Sequence, residues 1–517
     1  NCNMRDFART RREITQHPLG KPKRKRNFAR VIILSHIGMA EDSLKEKTAK
    51  GIFWGGISNG LQQLLGLVFG ICLARLLTRE DYGMVGMLSI ISLTASTLQE
   101  SGFIAALANR KKDCHEDFNA VFWCSLFIGI SLYVILFFCA PLIAAFYQQP
   151  ELIPLSRVAF LGFLISSMGT AQSAYLFRHV MVKQRAIAIF IGIIVSNLTG
   201  ITLAFNGYGY WSLAIQSNIY VAVVTSCLWY FSPWRPTFTF NLRPAREMWG
   251  FSSKLLVTNI FQIINNNFLS VILGRYYGEG KVGDFNQANK WNYMGYQFIY
   301  GMINNVAQPI LANVADEKAR QRHIFRKMLR FTAFIAFPTL FGMSFISREL
   351  ILVTITEKWI VSADLMRMLC IGSAFTVISG LYAQLMVSKG KSQIFMYSTV
   401  SLSLVQLAVM LLNRSAGLYA MTCWYVAINI CWLAVWQFFI HKEIGLTWFQ
   451  AAKDILPYAA CAAFTMCAVG WLTAGIGNLY LLLTAKIAGA VALYTLLMRL
   501  SGSVTFKESI HYLLHRK

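Results

Sequence analysis

The chain has 517 residues, 56% of them apolar and 14% charged, and a formal net charge of +25. A soluble domain carries about 25% charged residues, so this composition excludes an ordinary soluble enzyme and points to an integral membrane protein. A strongly basic chain can also be a nucleic-acid binder, but here the charge is distributed by loop, in a way that a membrane explains better.

Residues 1–50 form a basic N-terminal tail containing Lys21-Pro22-Lys23-Arg24-Lys25-Arg26. Its one apolar run, Val31-Ile32-Ile33-Leu34, is too short for a span or a signal-peptide core. Residues 1–38 are read as a disordered tail at an anionic inner leaflet, or as sequence upstream of a start at Met39. Charge alone gives only weak support to a nucleic-acid arm.

About 14 apolar segments follow, each near the roughly 20 residues that a helix needs to cross a bilayer. They cover residues 52–74, 83–108, 119–147, 152–176, 187–206, 209–231, 249–274, 291–315, 331–356, 365–387, 394–413, 416–439, 455–475 and 479–500. No alternating strand pattern appears, and lipid cannot satisfy an open strand edge, so the expected fold is all-α. Taking the N-terminus as cytoplasmic, the inner loops and tail after residue 50 hold 23 Lys and Arg and the outer loops eight, Lys290 counted among the outer ones. That bias predicts an even span count with both ends cytoplasmic. The cysteines show no CxxC pair and no metal-like cluster; most, such as Cys72, Cys139, Cys227 and Cys431, lie in apolar spans and read as small buried residues.

SNGLQQLLGLVFGICLARLLTREDYG near residue 60 is echoed by TNIFQIINNNFLSVILGRYYGEGKVG near residue 260. Asn59 pairs with Asn259, Gln62 with Gln262, Arg75 with Arg275 and Gly83 with Gly283. The copies open spans 1 and 7. Six crossings separate them, so they share orientation about an axis along the membrane normal. This predicts an N-lobe at 51–231, a proline-rich linker at 232–248, a C-lobe at 249–440, and two added spans with a basic tail at 441–517.

Polar residues inside spans carry the most information. Span 1 presents Asn59, Gln62 and Gln63 with Gly66 and Gly70; span 2 adds Ser89, Ser92, Ser96, Gln99 and Glu100; span 7 presents Thr258, Asn259, Gln262, Asn265, Asn266 and Ser270; span 8 adds Gln297, Gly301, Asn304 and Gln308. A single amide can equally be helix–helix glue, worth about 0.6 kcal/mol. Matched stripes in two lobes favour a wet central cavity. Arg157 and Lys486 lie deep in their spans, and Lys254 lies one turn into span 7, where it can snorkel. Arg75 and Arg275 sit at outer helix ends, as anchors or as holders of an anionic group. The candidate anion contacts are therefore Arg75, Arg275, Arg157 and Lys254. No GxSxG, HExxH or Walker loop is present.

Residues 44–87, with their LxxEDYG element, together with residues 101–123, 251–278 and Glu357-Lys358-Trp359, resemble the polysaccharide transporter family. It belongs to the multidrug/oligosaccharidyl-lipid/polysaccharide exporter superfamily, and the similarity is to its Wzx-type flippases. The resemblance implies transport of undecaprenyl-pyrophosphate-linked oligosaccharide between leaflets by alternating access, with no cofactor. It also implies coupling to a proton or sodium gradient, and work beside a polysaccharide polymerase and a chain-length regulator. A multidrug cation antiporter and a lipid II flippase of the same superfamily remain alternatives. The amide-rich stripes hold fewer arginines than the family's most basic-lined members, which leaves the pyrophosphate contacts open.

Overall fold

A computed structural model of the chain describes residues 60–100, 107, 114–179, 181–239, 241, 260, 263–264, 266–503 and 505–508. The side chains of Gln99, Glu100, Asn304, Asn305 and Ser392 lie outside that description. So do Asn59, Asn259, Gln262 and Lys254 in their entirety.

Among the described residues there is no strand. The helices of the first half are α1 (Gly60–Leu76), α2 (Arg79–Glu100), α3 (His115–Tyr147), α4 (Leu152–Ala159), α5 (Leu161–Ser167), α6 (Thr170–Arg178), α7 (Val182–Phe205) and α8 (Tyr210–Phe231). The second half continues with α9 (266–277), α10 (Glu279–Ala312), α11 (Lys318–Phe345), α12 (Ser347–Ile355), α13 (Ile360–Ser388), α14 (Ser392–Leu412) and α15 (Leu418–Ile444). α16 (Trp448–Leu472) and α17 (Leu479–Leu500) close the chain. Among the described residues, nine helices are long and apolar enough to cross a membrane, or ten if a bent pair counts as one span. The chain is a multi-pass, essentially all-helical membrane protein.

The differences from the sequence expectation have local causes. Span 4 is not one helix: the run Leu152–Ser167 and α6 meet at 45°, at Gly169, where an added Cβ would lie 3.1 Å from Thr225 Oγ1 of α8. Span 9 is interrupted between Phe345 and Ser347. Span 8 begins at Glu279 rather than 291, so Lys290 is a helix residue and not part of an outer loop. The cysteines do not share the buried character expected of them: Cys370 is buried, while Cys72 and Cys431 are exposed and Cys139 and Cys227 intermediate. On an apolar helix in lipid, an outward face accepts cysteine as readily as an inward one.

In lipid, apolar burial gives little drive for helix association, and close packing takes over. α7 shows the result. Its buried residues are Ala188, Gly192, Ser196, Gly200 and Ala204, one every fourth position. This small-residue stripe lets α8 approach closely enough that a Cβ on Gly192 would lie 2.5 Å from Val224 Cγ2. Apolar clusters centre on Phe118, Phe122 and Trp234 in the first half and on Phe325, Phe337 and Tyr382 in the second. A third cluster, containing Met87, Tyr147, Phe268 and Trp359, joins the halves. Lys486 of α17 meets Glu349 of α12 at 2.7 Å and stacks over the Phe345 ring. This ties the added hairpin to the second half and accounts for a cation so deep in a span.

Polar contacts tie the connections together at the helix ends. At one end Gln149 bonds Glu279, Tyr210 bonds Glu151, and Tyr277 bonds the Arg414 carbonyl. At the other, Arg178 bonds the Leu107 carbonyl, Arg322 bonds that of Gly445, and Lys389 and Lys391 flank Glu443.

The LxxEDYG element begins α2. The Thr78 hydroxyl accepts from the Asp81 N–H at 3.2 Å, and the Asp81 carboxylate accepts from the Thr78 N–H and hydroxyl at 2.9 Å. This reciprocal cap satisfies donors that the first turn leaves free. Thr78→Ala is expected to cost about 1 kcal/mol, read as a lower unfolding temperature in detergent.

Candidate functional site

A cavity of about 500 Å³ lies between the two halves. The first half lines it with Tyr82, Gly86 and Ser89 of α2, Ser196 and Asn197 of α7, and Gln216, Ser217 and Tyr220 of α8. The second half contributes Asn267 of α9 and Asn286, Gln287 and Lys290 of α10. Amides and hydroxyls dominate, and many are already oriented. Gln216 Nε2 donates to Asn197 Oδ1 at 2.9 Å, and Ser270 Oγ to Asn286 Oδ1 at 2.7 Å. Ser89, Ser196 and Ser217 each donate to a carbonyl of their own helix, which leaves oxygen lone pairs for the cavity. Gln287 Oε1 is buried without a hydrogen bond.

Lys290 is the one charged residue among the described residues lining the cavity. Its Nζ lies 2.7 Å from where a Cβ on Gly70 would be, so glycine on α1 makes its berth. No hydrogen bond or ion pair joins Lys290 to any described residue. The sequence signal for it was available: Lys290 falls on one helical face with Asn286 and Gln297. It was missed because the apolar run was read as starting at Trp291. Asn197 and Gln216 carried the same kind of signal, amides within apolar spans.

Of the predicted cavity residues, Asn59, Asn259, Gln262 and the side chain of Asn304 lie outside the described residues. Gln63, Asn266 and Gln308 are exposed, Gln62 is half-buried and engaged in an interaction, and none of the four lines this cavity. Arg157 packs its guanidinium 4.2 Å over the Phe137 ring, with Nε buried and without a hydrogen bond.

One end of the cleft is closed by contacts between the halves. A Cβ on Gly83 would lie 1.8 Å from the Glu279 carbonyl oxygen, and one on Gly283 would lie 1.9 Å from that of Arg79. The helix backbones therefore touch at two repeat-related glycines. Arg79 faces Asp284 at 3.6 Å; that carboxylate is fully buried, and neither oxygen has a hydrogen bond. Arg75 Nε and Nη2 donate to the carbonyls of Thr354 and Val353 at 2.6 and 2.8 Å. Arg275 Nη1 donates to the Phe146 carbonyl at 2.5 Å and lies over that ring. Trp359 Nε1 donates to the Ala74 carbonyl, its ring meets Tyr82 edge-on at 5.3 Å, and Lys358 Nζ donates to the carbonyls of Arg75 and Leu77. The two sequence elements EDYG and EKW thus meet in space.

Two helical halves meeting around a polar cleft define a membrane transporter. The model of the family described as "Polysaccharide biosynthesis protein" matches residues 72–364, more than half of the chain, and the chain belongs to that family. It is 26% identical over 397 residues to the lipopolysaccharide biosynthesis protein WzxC of Escherichia coli (strain K12), covering 75% of this chain and 80% of that protein. It is 24% identical over 438 residues to the teichuronic acid biosynthesis protein TuaB of Bacillus subtilis (strain 168), covering 83% and 89%. Its fold matches that of the lipid II flippase MurJ in an inward closed conformation, with a TM-score of 0.71 at 15% identity, over 90% of this chain and 99% of that one.

Proposed function

We propose that this protein is a flippase for undecaprenyl-pyrophosphate-linked oligosaccharide repeat units, precursors of lipopolysaccharide O-antigen, exopolysaccharide or capsule. It moves them across the bacterial inner membrane by alternating access of two six-helix lobes, residues 51–231 and 249–440. The full architecture in this reading has 14 spans with both termini cytoplasmic, and the protein is a transporter rather than an enzyme.

The observation that carries the reading is Lys290, a cation without a hydrogen bond or ion pair to any described residue, in a cavity whose other described lining residues are neutral. A pyrophosphate satisfies a desolvated ammonium by charge-assisted hydrogen bonds. Sugar hydroxyls suit the surrounding amides, including the vacant Gln287 Oε1. A cationic drug would meet repulsion at the same place, which weighs against a multidrug antiporter. The names of the two curated relatives, built on lipopolysaccharide and teichuronic acid, favour a polysaccharide precursor over lipid II. A proton or sodium gradient is the proposed driving force, worth about 2.3 kcal/mol per charge per 100 mV. A polysaccharide polymerase and chain-length regulator would receive the product.

The test is a proteoliposome assay with an undecaprenyl-pyrophosphate oligosaccharide and a cationic dye in the same vesicles. Protein-dependent movement of the glycolipid with the dye static is the expected result. Dye transport with the glycolipid static would move the protein to the multidrug branch.

A further inference from the structure

We infer that Arg75 and Arg275 are a reciprocal pair of positioning residues that latch the outer end of the cleft shut, by docking each lobe's first helix onto a helix end of the opposite lobe. The inference rests on the alternating-access reading but not on the identity of the cargo.

The two arginines occupy equivalent places in the repeat, and so do their acceptors. Arg75, at the end of span 1, bonds the carbonyls of Val353 and Thr354 at the end of span 9. Arg275, at the end of span 7, bonds the carbonyl of Phe146 at the end of span 3. Exchanging the lobes, span 1 for span 7 and span 9 for span 3, turns one contact into the other. Each acceptor helix is followed by a non-glycine residue with positive φ, though in different conformations: among the described residues these are Gln148 (φ 59°, ψ 35°) and Thr356 (φ 80°, ψ 171°). They follow Phe146 and Thr354 by two positions each. A left-handed conformation is a true outlier for β-branched threonine, and such strain persists only where surrounding contacts over-determine it. Here the contacts are those between the lobes.

Each latch has support. On one side Lys358 and Trp359 bond carbonyls of residues 74–77; on the other Gln149 Nε2 donates to Glu279 Oε2 at 2.7 Å. Between the two latches lies the Gly83–Gly283 backbone contact, so the three interactions span the seam. The acceptors are neutral carbonyls near the ends of helices. They call for the planar, multi-donor guanidinium fork, whereas an anionic cargo calls chiefly for charge. That difference makes Arg→Lys the informative substitution.

The experiment places a reporter cysteine at cavity residue Ser89 (S89C) and measures its labelling from the outer face by a membrane-impermeant thiol reagent. The parent without the reporter supplies the background from native cysteines. Arg75→Lys with Arg275→Lys is expected to raise the outer labelling rate roughly tenfold, the effect of losing about one charge-assisted hydrogen bond from the closed state. Labelling from the inner face should not rise. An unchanged outer rate in a double variant that inserts normally would overturn the latch. If the double variant does not accumulate, Arg275→Lys alone and Trp359→Phe, which keeps a ring but removes the indole donor, decide the matter in the same assay; no rise in either overturns it. Labelling requires no cargo. A protein that shows the shift yet flips no glycolipid keeps the latch and loses the proposed function; the reverse result keeps the function and loses the latch.

Discussion

Gly83→Ala is expected to abolish transport in a protein that still reaches the membrane. The new methyl would lie 1.8 Å from the Glu279 carbonyl oxygen, less than any van der Waals contact allows. The obstacle is helix backbone and cannot rotate aside as a side chain could, so α2 and α10 must part where they now touch. Overpacking of ordinary cores costs about 1–3 kcal/mol. A backbone collision at a seam belongs at the upper end, roughly a hundredfold in the ratio of closed to open forms. Gly283→Ala meets the Arg79 carbonyl at 1.9 Å and should produce the same phenotype. The double variant should be little worse than either single one, because the first methyl already separates the helices. Glycolipid flipping in proteoliposomes reads the loss. A near-normal rate for either variant would mean that the closed seam is not part of the cycle.

Lys290→Ala should lower glycolipid flipping by about 10- to 100-fold, the effect of removing a hydrogen bond to a charged group worth about 1.5–3 kcal/mol. No described side chain of the cavity lining can replace the charge. Lys290→Arg should restore part of the rate, limited by the berth against Gly70, where little room remains beside the ammonium. Gly70→Ala should therefore imitate the loss by displacing Lys290 without touching its charge. If Lys290→Ala flips the pyrophosphate-linked substrate at the parental rate, the anion contact lies elsewhere, and Arg157, with its unpartnered Nε, is the next candidate.

Most of the architecture could be read from apolar runs. The ends of α8, α14, α15 and α17 fall within a few residues of the predicted spans, since lipid imposes both length and helicity. The breaks could not. Nothing in the hydropathy of span 4 announces the bend at Gly169, which arises from how closely α8 passes. The repeat was legible, and its arginines and glycines prove to be the residues that touch across the seam. The cavity was less so. The polar stripes of spans 1, 2, 7 and 8 drew attention to themselves; of these, α2 with Ser89, α9 and α10 do line the cavity, through other residues in the last two, whereas the lining from α7 and α8 was not foreseen. Which polar residue faces a cleft depends on helix rotation and on distant packing, and these are tertiary properties. Lys290 was lost for a sharper reason: hydropathy ended the span at the charge, while the helix ran on through it.

Of the two helices that form the seam, α10 is absent from the described helices apolar enough to cross a bilayer unaided. α10 carries Lys281, Asp284 and Lys290 in its first half, and each such charge near a helix centre costs about 2.5–3.5 kcal/mol on insertion scales. The order of synthesis then matters. When α10 emerges from the ribosome, α2 has already been made, so the helix it must touch at Gly83 and Gly283 is in place before its charges reach the lipid.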